Sequence, residues 1–256
     1  MTKKYKQIFG IVVVLGLLMS GCRARFYTPN RHPVPLFRNA GDLYFDASTN
    51  MFNKVDVTAG AALTKNVAAY AGIASAAQNF GSDTGGMNSF KYRGNMLNLG
   101  VGYYINQEQS ENFRFEVFGD YGNGTFRNTV TGQDNTFFNG RFQRIGIMPT
   151  FGYRSSDNMF AVGYSARFSQ IRFYNAKLDN PNFWSADLAR YNSKPSYMLL
   201  EHALSFRFGG EKLKFQLQMA GYQGINAAEL TDAVPHFNFA IMAGAVFELN
   251  APLNQK

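Results

Sequence analysis

The stretch Phe160-Ala161-Val162-Gly163-Tyr164-Ser165-Ala166-Arg167-Phe168-Ser169 decides the reading of this chain. Its large apolar residues, Phe160, Val162, Tyr164 and Phe168, fall on one side of a two-residue period. Gly163, Ser165, Arg167 and Ser169 fall on the other. Strict alternation marks a β-strand with one apolar face. The pattern recurs along the chain. Val55, Val57, Ala59, Ala61 and Leu63 stand opposite Lys54, Asp56, Thr58 and Gly60, and Leu213, Phe215, Leu217 and Met219 alternate with Lys212, Lys214, Gln216 and Gln218. Ten such segments cover about residues 42–48, 54–63, 67–78, 92–105, 112–124, 141–154, 159–173, 197–208, 212–223 and 237–249. Most match the ~9–11 residues of a tilted transmembrane strand and exceed the ~5–6 of an ordinary soluble one.

The connections sort by length. Thr64–Asn66, Ile105–Glu111, Ser155–Asn158 and Gly209–Glu211 are short, whereas 79–91, 125–140, 174–196 and 224–236 are long and 49–53 is intermediate. Short turns on one side and long loops on the other belong to an up-and-down barrel with both chain ends on the turn side. Composition agrees with an all-β chain. There are 25 Phe, 14 Tyr and 25 Gly in 256 residues, and aromatic residues favour strands.

The N-terminus has its own logic. Lys3, Lys4 and Lys6 precede an apolar run from Ile8 to Met19, followed by Ser20, Gly21 and Cys22. These are the basic, apolar and small-residue regions of a secretory leader, and the run is too short to span a bilayer. Cys22 is the chain's one cysteine, which leaves nothing for disulfides or a thiolate metal site. The leader holds three of the 25 basic residues and none of the 17 acidic ones, so the charge of +8 becomes +5 without it. That surplus is spread out, with no basic run of the kind that binds nucleic acid. The expected division is a leader at 1–21, an irregular periplasmic tether at 22–41 holding Pro29, Pro33 and Pro35, a barrel at 42–249 and a tail at 250–256.

Leu18-Met19-Ser20-Gly21-Cys22 resembles a bacterial lipobox, with Met19 where Leu is usual. The last segment carries Gly244, Phe247 and Leu249, similar to the Gly-x-x-aromatic-x-hydrophobic ending of outer-membrane barrels, although seven residues follow it. Together with the strand rhythm, the chain resembles the small bacterial outer-membrane β-barrel proteins that carry a lipoprotein-type leader. The resemblance implies an antiparallel transmembrane barrel in the outer membrane of a Gram-negative-type bacterium, lipid-anchored at Cys22. It also implies recognition of the last strand by the barrel-insertion machinery and leaves room for a place in an outer-membrane protein complex. It says little about function, because one scaffold serves many tasks.

If the apolar faces meet lipid, the opposite faces fill the lumen with Arg114, Glu116, Asp120, Arg144, Arg167, Glu201, Arg207 and Glu248, joined by Lys212 and Lys214. Ten strands enclose a narrow space, and charges there must pair. The expected product is a lumen closed by ion pairs, with a narrow pore for small solutes as the alternative. Pro149 within a strand predicts a bulge. His202 falls on the lipid face. The aromatic stretch with Phe183, Trp184 and Tyr191 offers an external contact surface, a cover for the barrel mouth, or a seat for Trp184 at the membrane interface.

Signs of catalysis are weak. The three histidines, His32, His202 and His236, form no metal-ligand spacing. An outer-rim enzyme acting on lipid or peptide would need His236 with Asp232, or His202 with Ser205. The latter two lie on opposite faces of one strand. Gly119–Gly124 lacks the Lys and helix of a phosphate loop. The reading is a non-enzymatic barrel with a structural or accessory role and no cofactor. A soluble lipocalin-like lipoprotein would keep every strand but turn the apolar faces inward.

Overall fold

The computed structural model describes residue 27 and residues 29–50, 54–82, 88–105, 110–132, 135–193, 196–225 and 238–250. Ten strands follow one another: β1 Leu43–Asn50, β2 Lys54–Ala62, β3 Val67–Ser82, β4 Asn88–Tyr104, β5 Phe113–Gly132, β6 Thr136–Arg154, β7 Phe160–Leu178, β8 Ser196–Gly209, β9 Leu213–Gly224 and β10 Asn238–Leu249. One described helix, α1 at Ser185–Ser193, lies between β7 and β8. Each strand pairs antiparallel with its neighbours in sequence, and β1 closes on β10. The closing register runs from Leu43 opposite Leu249 to Asn50 opposite Met242.

The apolar faces point outward. Leu43, Phe45, Val55, Ile73, Leu99, Ile145, Phe168, Phe215 and Phe247 are exposed, while Arg114, Arg144, Arg167 and Arg207 are among the largest fully buried side chains. This polarity is the reverse of a lipocalin-like barrel and removes that alternative. On β5 the outward apolar positions run from Phe113 to Tyr121, and on β7 from Phe160 to Phe168. Nine residues of strand, tilted as barrel strands are, make a belt about 22 Å tall, close to the ~25 Å of outer-membrane barrels.

Above that belt the two faces exchange character. On β5, Thr125, Arg127 and Thr129 face out while Phe126 and Val130 are buried; on β6, Arg141 and Gln143 face out while Phe138 and Phe142 are buried. Within the stretches 79–91 and 125–140, residues 79–82, 88–91, 125–132 and 136–140 are therefore strand. From sequence alone these stretches read as loops, because the inversion interrupts the lipid-face alternation. Wall height is uneven as a result. β5, β6 and β7 have 20, 19 and 19 residues, against 8 and 9 in β1 and β2.

Pro149 makes no bulge. The β6–β7 register is the same before it, Ile147 opposite Phe168, and after it, Thr150 opposite Ser165; only the two rungs between are missing. Pro149 keeps its place opposite Val117 on the β5 side, so its absent N–H is accommodated by leaving out ladder bonds rather than shifting a strand. The bulges lie at Asn79/Ser82 and Asn139/Arg141. His202 faces outward, as the alternation requires, and its Nδ1 lies 2.6 Å from the Tyr164 hydroxyl.

Candidate functional site

The lumen is where this fold concentrates polar chemistry, and its central occupant is the chain's own N-terminal segment. Residues 30–38 are all buried. For its described part, the reading of 22–41 as a tether outside the barrel is thus corrected: Asn30 to Arg38 run inside it. The physical reason is that a narrow ring of ten strands with charged inner faces leaves a channel that must be filled. An extended, proline-rich strip with polar side chains fits such a channel, and its own backbone groups find partners there.

At the turn end, the Arg38 and Asn39 amides donate to Asp42 Oδ2 at 2.8 and 3.0 Å. The Phe37 amide donates to Glu116 Oε1 at 2.8 Å. Arg154 donates to the Leu36 carbonyl at 2.8 Å, and Arg207 donates to the Pro35 carbonyl at 3.2 Å and to that of Val34. Leu36 holds a left-handed backbone, φ 56°, which is unusual for a branched residue and needs support from its surroundings. Part of that support is steric. Gly152 and Gly163 leave a hollow in the wall: an added Cβ on them would lie 2.6 Å from a Leu36 methyl and from a Val34 methyl respectively.

Midway up, the His32 amide and carbonyl are both taken by Gln218, at 3.1 and 3.0 Å. His32 Nδ1 meets Ser165 Oγ at 2.8 Å. Arg31 forms an ion pair with Asp46, which also accepts from the Tyr44 hydroxyl. The Arg31 amide reaches Asp56 at 3.3 Å, and Asp56 pairs with Lys54 at 3.2 Å.

Two ion-pair layers bracket the segment. The upper one holds Asp120, Arg144, Arg167 and Glu201. Arg144 meets Asp120 at 2.7 Å and Glu201 at 3.8 Å; Arg167 meets Glu201 at 3.1 Å and Asp120 at 3.6 Å. Asn30 Oδ1 accepts from both arginines, at 2.6 and 3.0 Å, and Tyr27 joins Arg144 to Glu201 through its hydroxyl. The lower layer gathers three cations on one carboxylate. Glu248 meets Arg154 at 2.6 Å, Lys214 at 2.6 Å and Arg207 at 3.1 Å. The Arg207 guanidinium also sits 5.0 Å from the centre of the Tyr44 ring.

The lumen residues singled out from sequence divide accordingly. Asp120, Arg144, Arg167 and Glu201 come together, as do Arg207 and Glu248. Glu116 serves the Phe37 amide. Arg114 is buried but reaches down to the β4–β5 turn, donating to the Phe113 and Glu111 carbonyls at 2.8 and 2.6 Å. Lys212 is exposed in the β8–β9 turn and is no part of the lumen. Sequence reasoning passed over Arg31, His32, Asp46, Asp56 and Arg154. One signal was present. Asp46 and Asp56 face inward on adjacent strands, and Lys54 is the near cation on those strands, so a further cation had to come from elsewhere.

The barrel mouth is covered. Trp184 and Tyr191 are 2% and 6% exposed, so the reading of Phe183, Trp184 and Tyr191 as an external contact surface is corrected. Trp184 stacks on Phe138 at 5.9 Å and donates its Nε1–H to Thr136 Oγ1 at 3.0 Å. Tyr191 packs on Phe126, Phe138 and Phe173. The reason is the inverted face of the tall strands, whose inward phenylalanines need an apolar lid. Phe183 is half-buried against Trp184.

Catalytic arrangements are poorly served here. His202 faces outward, while Ser205 faces the lumen and accepts from Gln218 at 2.7 Å. His236 and Asp232 lie outside the described residues, as does Cys22. The His32–Ser165 contact is packed within the filled lumen. A cavity beside Lys54, Tyr92 and Phe142 has about 10 Å³, room for about one water. Among the described residues no group of three His, Cys, Asp or Glu side chains is placed to hold a metal.

No protein-family model and no curated protein matches the sequence. Among solved structures, the chain is similar to the outer membrane protease OmpT of Escherichia coli, at 10% identity and a TM-score of 0.49 over 82% of this chain and 94% of that one. It is similar to the translocator domain of autotransporter NalP from Neisseria meningitidis, at 11% identity and a TM-score of 0.44 over 81% and 86%. The outer membrane protein OprG of Pseudomonas aeruginosa shows 13% identity and a TM-score of 0.36 over 84% and 99%. Likeness at this level transfers no activity and no residue role to this chain.

Proposed function

We propose that this chain is a lipid-anchored outer-membrane barrel with a structural or accessory role, non-enzymatic and closed to solutes. The observation that carries the reading is the N-terminal segment pinned along the lumen by Glu116, Arg154, Arg207, Gln218, Asp46 and Arg144. A transport pathway has to give way to solutes, whereas this one is bonded shut at each level and lidded by α1. The apolar belt supports a membrane setting. Phe247 and Leu249 of β10 face outward beside β1, where the insertion machinery would read them. Lipidation of Cys22 rests on the lipobox alone.

The test is conductance. Purified barrel reconstituted in planar bilayers stays silent, while a variant lacking residues 27–37 passes current. Steady open-channel steps from the intact protein would overturn the closed reading in favour of a narrow pore. An accessory role has its own test, which is a stoichiometric partner recovered with a C-terminally tagged chain from mildly solubilised membranes.

A further inference from the structure

The segment in the lumen has a direction. Its foot, at Arg38 and Asn39, bonds Asp42 just before β1 begins, and Arg38 also reaches the Ser155 carbonyl in the β6–β7 turn at 2.5 Å. Its other described end is Tyr27. That residue bridges Arg144 and Glu201 and packs edge-on against Phe142 at 5.2 Å, inside the aromatic layer that carries the lid. Between them, the Pro29 carbonyl accepts from Lys54, the first residue of β2 on the loop side. The chain therefore crosses the whole belt from turn end to loop end before residue 27 is reached.

Chain reach fixes where the preceding residues go. Cys22 is five residues before Tyr27, and five extended residues span at most about 18 Å. From the level of Arg144 to the turn end at Arg154 is ten residues of β6, or about 24 Å along the axis of a tilted strand. Five residues cannot cover that distance, and the lumen they would need is already filled by residues 30–38. The wall is lowest at β1 and β2, next to Pro29, so that side offers the shortest path from lumen to lipid.

We infer that the mature N-terminus is displayed on the loop face with α1, so that acyl chains on Cys22 enter the leaflet on that side. This rests on the outer-membrane reading above, under which the loop face is the cell exterior and the protein is a surface-displayed lipoprotein threaded through its own barrel. It reverses the sequence expectation of a periplasmic tether.

Cysteine accessibility tests it, since acylated Cys22 presents no free thiol. Three single variants of the full chain are expressed: Ala24→Cys near the N-terminus, Asn182→Cys in the exposed loop before α1, and Glu211→Cys in the exposed β8–β9 turn. Intact and permeabilised cells are treated with a membrane-impermeant maleimide. The expected result is that Ala24→Cys labels together with Asn182→Cys in intact cells, and Glu211→Cys labels only after permeabilisation. If Ala24→Cys follows Glu211→Cys, or labels only after denaturation, the threading is overturned. The comparison stands whichever way the barrel faces: Glu211→Cys labelling in intact cells while Asn182→Cys does not would refute the orientation, with Ala24→Cys still assigning the end. Labelling of the wild-type thiol would overturn the lipid half alone.

Discussion

Glu248→Gln is the sharpest probe of the lower layer. The carboxylate is 2% exposed and receives Arg154, Lys214 and Arg207 within 2.6–3.1 Å. An amide of the same shape keeps the packing but removes the anion and points an N–H₂ at a cation. Breaking a buried pair by removing one partner costs ~3–5 kcal/mol. The three cations keep neutral partners: Arg154 has Asn158 and the Leu36 carbonyl, Arg207 has Gln216, and Lys214 has the Glu211 carbonyl. The loss should therefore fall at the low end, about 3 kcal/mol. Urea unfolding of the barrel in lipid vesicles, followed by the gel shift between unboiled and boiled samples, measures it. Adding Lys214→Met removes one stranded cation and should recover part of the loss, with a coupling of ~0.5–3 kcal/mol. A single-variant change under ~0.5 kcal/mol, of the size seen for ordinary surface substitutions, would refute the claim that Glu248 holds this layer together.

Gly163→Val should crowd Val34, destabilise by ~1–3 kcal/mol and make reconstituted barrels conduct intermittently; silent bilayers with unchanged urea midpoints would count against the hollow as the segment's seat. Trp184→Ala should cost ~3–5 kcal/mol of packing in the lid and expose the β7–β8 connection to added protease, read as a new fragment on gels. At the β6–β7 turn, the Ser155 hydroxyl and then the Met159 amide hold the Asp157 carboxyl below its ordinary value. A depressed folded-state value stabilises above the unfolded carboxylate range, near ~3.9, and that contribution fades as pH falls through the folded value. Asp157→Asn should lower the urea midpoint at neutral pH and converge with the wild type in acid; an equal gap at every pH would remove Asp157 as the cause.

Much of the barrel was legible in residue order. Period-two alternation is a local property, and Phe160 to Ser169 displays it without reference to any other strand. The faces of β8 could be read the same way, down to His202 pointing outward and Glu201 inward. Alternation on facing strands was also enough to put Asp120, Arg144, Arg167 and Glu201 on the inner wall. Local pattern failed where its meaning changed. The polarity of β5 from Thr125 to Val130 and of β6 from Phe138 to Gln143 inverts above the belt, so genuine strand reads as loop, and Pro149 reads as a bulge although the ladder gives up two rungs instead.

What the sequence by itself determined is therefore a barrel of about ten strands and, within the belt, which face of each strand is apolar and which carries the charges, because backbone sterics and burial act over a few neighbouring residues. Only the tertiary structure decided what fills the lumen. Arg31 meets Asp46 across 15 positions, His32 meets Ser165 across 133, and Arg207 reaches the Val34 carbonyl across 173. No local period encodes contacts between an irregular segment and at least seven different strands. They exist because closing the ring creates a narrow polar space, and buried charges and backbone groups in that space must find partners.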